Sequence, residues 1–153
     1  MNRQWGQAPD MPVRVMHLVY SFGLGGMEVG VAKLANALDP SAVAVSICSG
    51  RPSETLKYRL LPEVGFYELG RRDGNDPGLV LRLARVLRRE RPHILHTHGW
   101  ATLVEGLLGA RLAGVQVVIH GEHGTLELRP LNRRVQRWAW GRATRVMAVS
   151  SRL

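Results

Sequence analysis

Short apolar runs alternate along this chain with longer stretches of helical periodicity, and that alternation most limits what it can fold into. Val13–Tyr20, Val43–Cys48, Phe66–Leu69, Ile94–Thr97, Val115–His120 and Val146–Val149 read as strands. The stretches between them read as helices over Met27–Leu38, Glu54–Leu61, a run opened by Pro77, Trp100–Ala113 and Leu131–Arg142. In the run after Pro77, Leu79, Leu83, Val86 and Leu87 share one face while Arg82, Arg85, Arg88 and Arg89 lie largely opposite, the signature of a surface helix. Strands too apolar to alternate are buried on both faces, and strands of that kind joined by helices form parallel β-α-β units. The expectation is an α/β protein: a Rossmann-like, doubly wound, mostly parallel six-stranded sheet with helices on both faces. Its switch point is expected between the first and fourth strands.

A chain of 153 residues fits one domain. Residues 1–12 are expected to be a flexible N-terminal segment and residues 13–153 the folded domain, with no internal repeat, low-complexity tract or linker. Twenty-one basic against 12 acidic residues leave a net charge of +9, and lysine supplies only Lys33 and Lys57 of it. An arginine-rich surface of this kind suits nucleic acid, anionic lipid or a phosphate-bearing substrate. The single cysteine, Cys48, excludes an intrachain disulfide and any zinc site built on several thiolates. Lying in an apolar run, it reads as a small buried hydrophobe, in keeping with a reducing cytoplasm. Met1–Asp10 has no apolar core of signal-peptide length, and no run approaches the ~18 apolar residues of a membrane span.

In an open doubly wound sheet, ligands bind beyond the carboxyl ends of the strands near the switch point. The first strand is followed by Gly23-Leu24-Gly25-Gly26-Met27-Glu28. A dinucleotide fingerprint would need a third glycine where Glu28 stands and an acid at the end of the second strand, where Ser46–Gly50 has none. The P-loop pattern fails too. What remains is a glycine turn feeding a helix N-terminus, where backbone N–H groups meet a phosphate or hydroxyl, or a tight turn with no ligand at all.

His96, Thr97 and His98 close the fourth strand, and Glu122 and His123 are expected in the loop after the fifth. Such a set suits hydroxyls or phosphate. Zinc on His96, His98 and His123 is conceivable, but nothing completes the ligand set and no metal is expected. His17 and His93 read as structural. The last helix carries Arg133, Arg134, Arg137 and Arg142 around Trp138 and Trp140. Arginine interleaved with tryptophan suits an anionic membrane surface, the alternative being a solvated arginine face over packed tryptophans. It carries no recognised nucleic-acid module.

Taken in order, Gly25-Gly26-Met27-Glu28, Arg91-Pro92-His93-Ile94-Leu95-His96-Thr97-His98, Gly121-Glu122-His123-Gly124 and Ala148-Val149-Ser150 resemble the N-terminal domain of family-4-like glycosyltransferases of the GT-B fold. The stretches Glu28-Val29-Gly30-Val31 and Ile119–Gly124 are similar to a bacterial subgroup tied to exopolysaccharide assembly. The resemblance implies retaining transfer of a sugar from a nucleotide-sugar donor to a glycan or lipid-linked acceptor, without a metal or other cofactor. It makes His123 the catalytic-site residue touching the transferred sugar. Gly25 and Gly26 would approach the donor phosphates or the acceptor, Thr97 and His98 would line the acceptor side, and Glu122 would bind substrate. The family's second, donor-binding domain is not among these residues, so the chain alone is expected to be inactive and to need that domain in cis or in trans. An NAD-linked oxidoreductase, against which the failed fingerprint speaks, a metal-dependent hydrolase and a non-catalytic sugar- or phosphate-binding module are the competing readings.

Overall fold

A computed structural model describes residues 11–53, 55–124 and 129–148. Among the described residues, six strands and four helices follow in the order β1 (Val13–Val19), α1 (Gly26–Ala37), β2 (Val43–Ser49), β3 (Gly65–Glu68), α2 (Gly78–Glu90), β4 (Ile94–His98), α3 (Trp100–Ala113), β5 (Val117–Glu122), α4 (Pro130–Trp140) and β6 (Arg145–Ala148). Every strand pairing is parallel, in the order β3-β2-β1-β4-β5-β6. The winding therefore reverses between β1 and β4, where the switch point was expected.

The two sheet faces are covered by different helices. Leu79, Leu83 and Leu87 of α2, Leu103, Leu107 and Ala110 of α3, and Ala139 of α4 pack with Met16, Leu18, Cys48 and Leu95. On the other face, Val31, Ala32 and Ala35 of α1 pack with Val19, Val45, Ile47, Phe22 and Leu56. Each of the fully buried leucines contributes about 1.5–3 kcal/mol relative to an exposed one. Cys48 is buried as expected, and burial pushes its thiol up to about 12.

Local chemistry explains the element ends. Helix α3 stops at Gly114, which takes the left-handed conformation (φ 80°) that costs glycine nothing. Helix α2 stops at Arg91, a non-glycine residue at φ 48° whose N–H bonds the Leu87 carbonyl, and Pro92 follows. Helix α3 seats closely on β4 and on α2. A Cβ at Gly106 would strike Thr97 Cγ2, and one at Gly109 would lie 2.7 Å from Leu83 Cδ2.

Some boundaries differ from expectation. The short helix expected over Glu54–Leu61 is a single 3-10 turn, Leu56–Arg59, with Glu54 outside the described residues. The largest difference is β5, which begins at Val117 and runs on to Glu122. Gly121 pairs with His98 on one side and Met147 on the other, and Glu122 pairs with Ala148. Glu122 thus belongs to the strand rather than to a loop. The final strand expected to reach Val149 is described only to Ala148, and the expected flexible segment falls mostly in residues 1–10, outside the described residues.

Candidate functional site

Strand alternation decides which side chains meet. His17 is registered opposite His96, and His98 opposite Gly121, so these positions share the α1 face of the sheet. Leu18 opposite Thr97, and Thr97 opposite His120, share the other. Residues adjacent in sequence at the end of β4 are thereby divided between two polar groups.

The first group is a line of imidazoles. His17 Nδ1 lies 2.9 Å from His98 Nε2, and His98 Nδ1 lies 2.9 Å from His123 Nε2. His96 lies tilted against His98 with ring centroids 4.1 Å apart, and its Nε2 is buried without a hydrogen bond among the described residues. Gly121 makes the space for them. A Cβ there would lie 3.0 Å from His123 Nε2, 3.2 Å from His96 Nε2 and 3.5 Å from His98 Nδ1. Burial, seconded by neighbouring imidazoles, lowers His17 to about 3, His96 to about 4 and His98 to about 2. At neutral pH these rings are uncharged, each with one donor and one acceptor nitrogen.

The second group lies on the opposite face. Thr97, fully buried, is 2.8 Å from His120 Nδ1 through its hydroxyl. His120 Nε2 faces Glu122 Oε2 at 3.4 Å, and Gln136 of α4 donates to the same oxygen at 3.2 Å. Burial raises the Glu122 carboxyl and lowers His120 to about 4. Thr97 and Glu122, expected beside His98 and His123 respectively, join each other instead through His120.

At the glycine turn, Gly25 caps α1 without a side chain and Gly26 is open, with nothing near its missing Cβ. Glu28, in the first turn of α1, folds its carboxylate into the space a Gly25 side chain would fill. A negative group already lies at this helix N-terminus, which favours a hydroxyl there over a phosphate.

Sequence reasoning set His17 aside as structural, yet it ends the imidazole line. Its signal was register: a histidine at an inward position of β1, beside a strand that ends His-x-His. Nitrogens of His17, His96 and His98 lie within 4.8 Å of one another, a set capable of holding a metal ion. That set differs from the His96, His98 and His123 considered from sequence.

The model of Glycosyltransferase Family 4 matches residues 24–153. The chain belongs to this family. Among curated proteins it is similar to the Escherichia coli UDP-Gal:alpha-D-GlcNAc-diphosphoundecaprenol alpha-1,3-galactosyltransferase, 42% identical over 49 residues, which are 32% of this chain and 13% of that protein. Among solved structures it is similar to Anabaena HepE in complex with UDP and glucose, with TM-score 0.69 and 15% identity over 88% of this chain and 37% of that one. It is also similar to the lipopolysaccharide outer core galactosyltransferase WaaB, with TM-score 0.61 and 14% identity over 90% of this chain and 40% of that one. The UDP-GlcNAc 2-epimerase of Neisseria meningitidis bound to UDP-GlcNAc has the fold as well, with TM-score 0.58 and 16% identity over 88% of this chain and 39% of that one. Transferases and epimerases thus share this architecture, and it is the family match that selects a glycosyltransferase domain of the GT-B type. The family 4 chain spans well under half the length of these solved proteins.

Proposed function

We propose that this domain serves retaining transfer of a sugar from a nucleotide-sugar donor to a glycan or lipid-linked acceptor in bacterial polysaccharide synthesis, working with a donor-binding domain. The observation that carries the reading is the imidazole line at the switch point, in a family 4 domain, with His123 at its half-buried end. A UDP-sugar is the donor class suggested by the similar proteins, one named for UDP-Gal and one solved with UDP and glucose.

In this reading His123 touches the transferred sugar, and His98 positions it from behind. The Gly25-Gly26 turn meets an acceptor hydroxyl rather than the donor diphosphate, because the Glu28 carboxylate competes with any anion there. Thr97 is too buried to reach a ligand and acts through His120 and Glu122. The reaction needs no metal. The test is the protein joined to its donor domain, assayed with a panel of UDP-sugars. His123→Ala is expected to slow transfer by about 10²-fold, the usual cost of one hydrogen-bonding group at a reacting centre. Unchanged transfer, or transfer abolished by a metal chelator, counts against the reading.

Membrane contact is part of the proposal. No helix among the described residues is long and apolar enough to cross a membrane. Helix α4, however, leaves Leu131 70% exposed and Trp138 42% exposed, with Arg133, Arg134 and Arg137 exposed around them. The Arg142 guanidinium stacks on the Trp138 ring, 4.2 Å from its centre. Trp140 instead packs against the core. We read this face as a peripheral contact with anionic lipid on the cytoplasmic side, where a lipid-linked acceptor would be presented.

A further inference from the structure

We propose that His17, His98 and His123 form one tautomer-coupled chain, so that the hydrogen-bonding polarity of His123 toward a ligand is tied to the tautomer of His17 beneath it. The inference rests on His123 facing the substrate, as proposed above, and concerns how that contact is made.

His98 spends both ring nitrogens inside the chain, Nε2 on His17 and Nδ1 on His123. A neutral imidazole has one N–H and one bare nitrogen. If His17 Nδ1–H donates to His98 Nε2, His98 must carry its proton on Nδ1 and donate it to His123 Nε2. His123 then holds its own proton on Nδ1. Run the other way, His123 Nε2–H donates to His98 Nδ1, His98 Nε2–H donates to His17 Nδ1, and His17 keeps its proton on Nε2. Both bonds are satisfied only when all three rings are Nδ1–H or all three are Nε2–H.

Burial keeps His17 and His98 neutral, holding them near 3 and near 2, so neither of these two rings becomes doubly protonated at physiological pH. Converting one set to the other leaves the charge unchanged. Two protons cross the two hydrogen bonds, one leaves His123 Nδ1 to water, and one is taken from water at His17 Nε2. His123 Nδ1 and His17 Nε2 make no hydrogen bond to the described residues. The ligand decides. An oxygen that only accepts, such as that of a phosphate, demands Nδ1–H on His123 and selects the all-Nδ1 set. A hydroxyl that donates to His123 selects the all-Nε2 set.

The experiment is multiple-bond ¹H–¹⁵N correlation on the 153-residue chain with ¹⁵N-labelled histidine, which reads the Nδ1–H fraction of each ring. The expected result is one common fraction at His17, His98 and His123, with His120 free to differ because it bonds Thr97 and Glu122 instead. In His98→Leu, the fractions at His17 and His123 are expected to part. Any change on adding sulfate, an acceptor-only probe, is expected at all three rings together. Unequal fractions in the unaltered protein overturn the proposal, as does a sulfate shift confined to His123. So does stoichiometric zinc on His17, His96 and His98, since the metal would hold a nitrogen the chain requires. None of these readings involves sugar transfer, so the chain stands or falls separately from the proposed reaction.

Discussion

Gly121 shows how much of the site depends on a missing side chain. It sits in β5 opposite His98, and three imidazole nitrogens crowd the 3.0–3.5 Å shell around the place its Cβ would take. Gly121→Ala is expected to push His123 off His98 while the sheet survives, at a cost of about 1–3 kcal/mol for overpacking. A denaturation midpoint measures the cost, and the histidine ¹⁵N spectrum reports the lost bond. An unperturbed spectrum would show that the rings do not close around this glycine. The buried histidines also predict a pH response. His17 and His98 titrate near 6.5 when unfolded but near 3 and 2 when folded, so below pH 6.5 the unfolded chain binds more protons. Stability is complete above about pH 6.5 and falls as pH drops through the window toward the folded values, by ~1.4 kcal/mol per unit for each such ring. Thermal melts should therefore move down by several degrees between pH 7 and pH 5. A flat midpoint over that interval would mean these rings are not held neutral by the fold.

At the scale of elements, α3 is seated by its small residues. Gly106 lies over the Thr97 methyl group and Gly109 over Leu83. Gly106→Ala removes a helix-weakening glycine, worth up to about 1 kcal/mol, but forces α3 away from β4. The Thr97 methyl it meets is fully buried, so overpacking dominates and net destabilisation of about 1–2 kcal/mol is expected in urea unfolding. A more stable variant would show that α3 has room to lift. The alternation of apolar runs and helices was enough to read the six strands, their parallel sense and the place where the winding reverses. It missed the length of β5, because Gly121 and Glu122 look like loop residues and are strand only through pairing with β4 and β6. The site was partly legible. The glycine turn and the His-x-His were visible as strand-end clusters. The split between the His98 and Thr97 faces follows from register across strands, and the part of His17 depends on β1 lying beside β4, both long-range facts. Glu28 folding onto Gly25 needed side-chain geometry.

For the whole molecule, charge and architecture lead to separate tests. The exposed face of α4 should hold the protein on vesicles of anionic lipid, each basic residue near the surface contributing ~1 kcal/mol and the attraction fading with salt. Changing Arg133, Arg134 and Arg137 together to Gln is expected to lower cosedimentation by at least tenfold at low salt. Equal sedimentation of both proteins would leave α4 a solvated helix. In the proposed reaction, this family 4 domain supplies one wall of a site for sugar transfer and a donor domain supplies the other. The solved proteins with this fold are more than twice its length, and the imidazole line ends at His123, just past the end of β5. The deciding assay is transfer of sugar from a UDP-sugar to a lipid-linked glycan acceptor, followed by product anomeric configuration. It compares the 153-residue chain alone with the chain joined to its donor domain. No transfer is expected from the chain alone, transfer with retained configuration from the joined protein, and about 10²-fold slower transfer when His123 is replaced by Ala. Turnover by the isolated chain, or an inverted product, would contradict it.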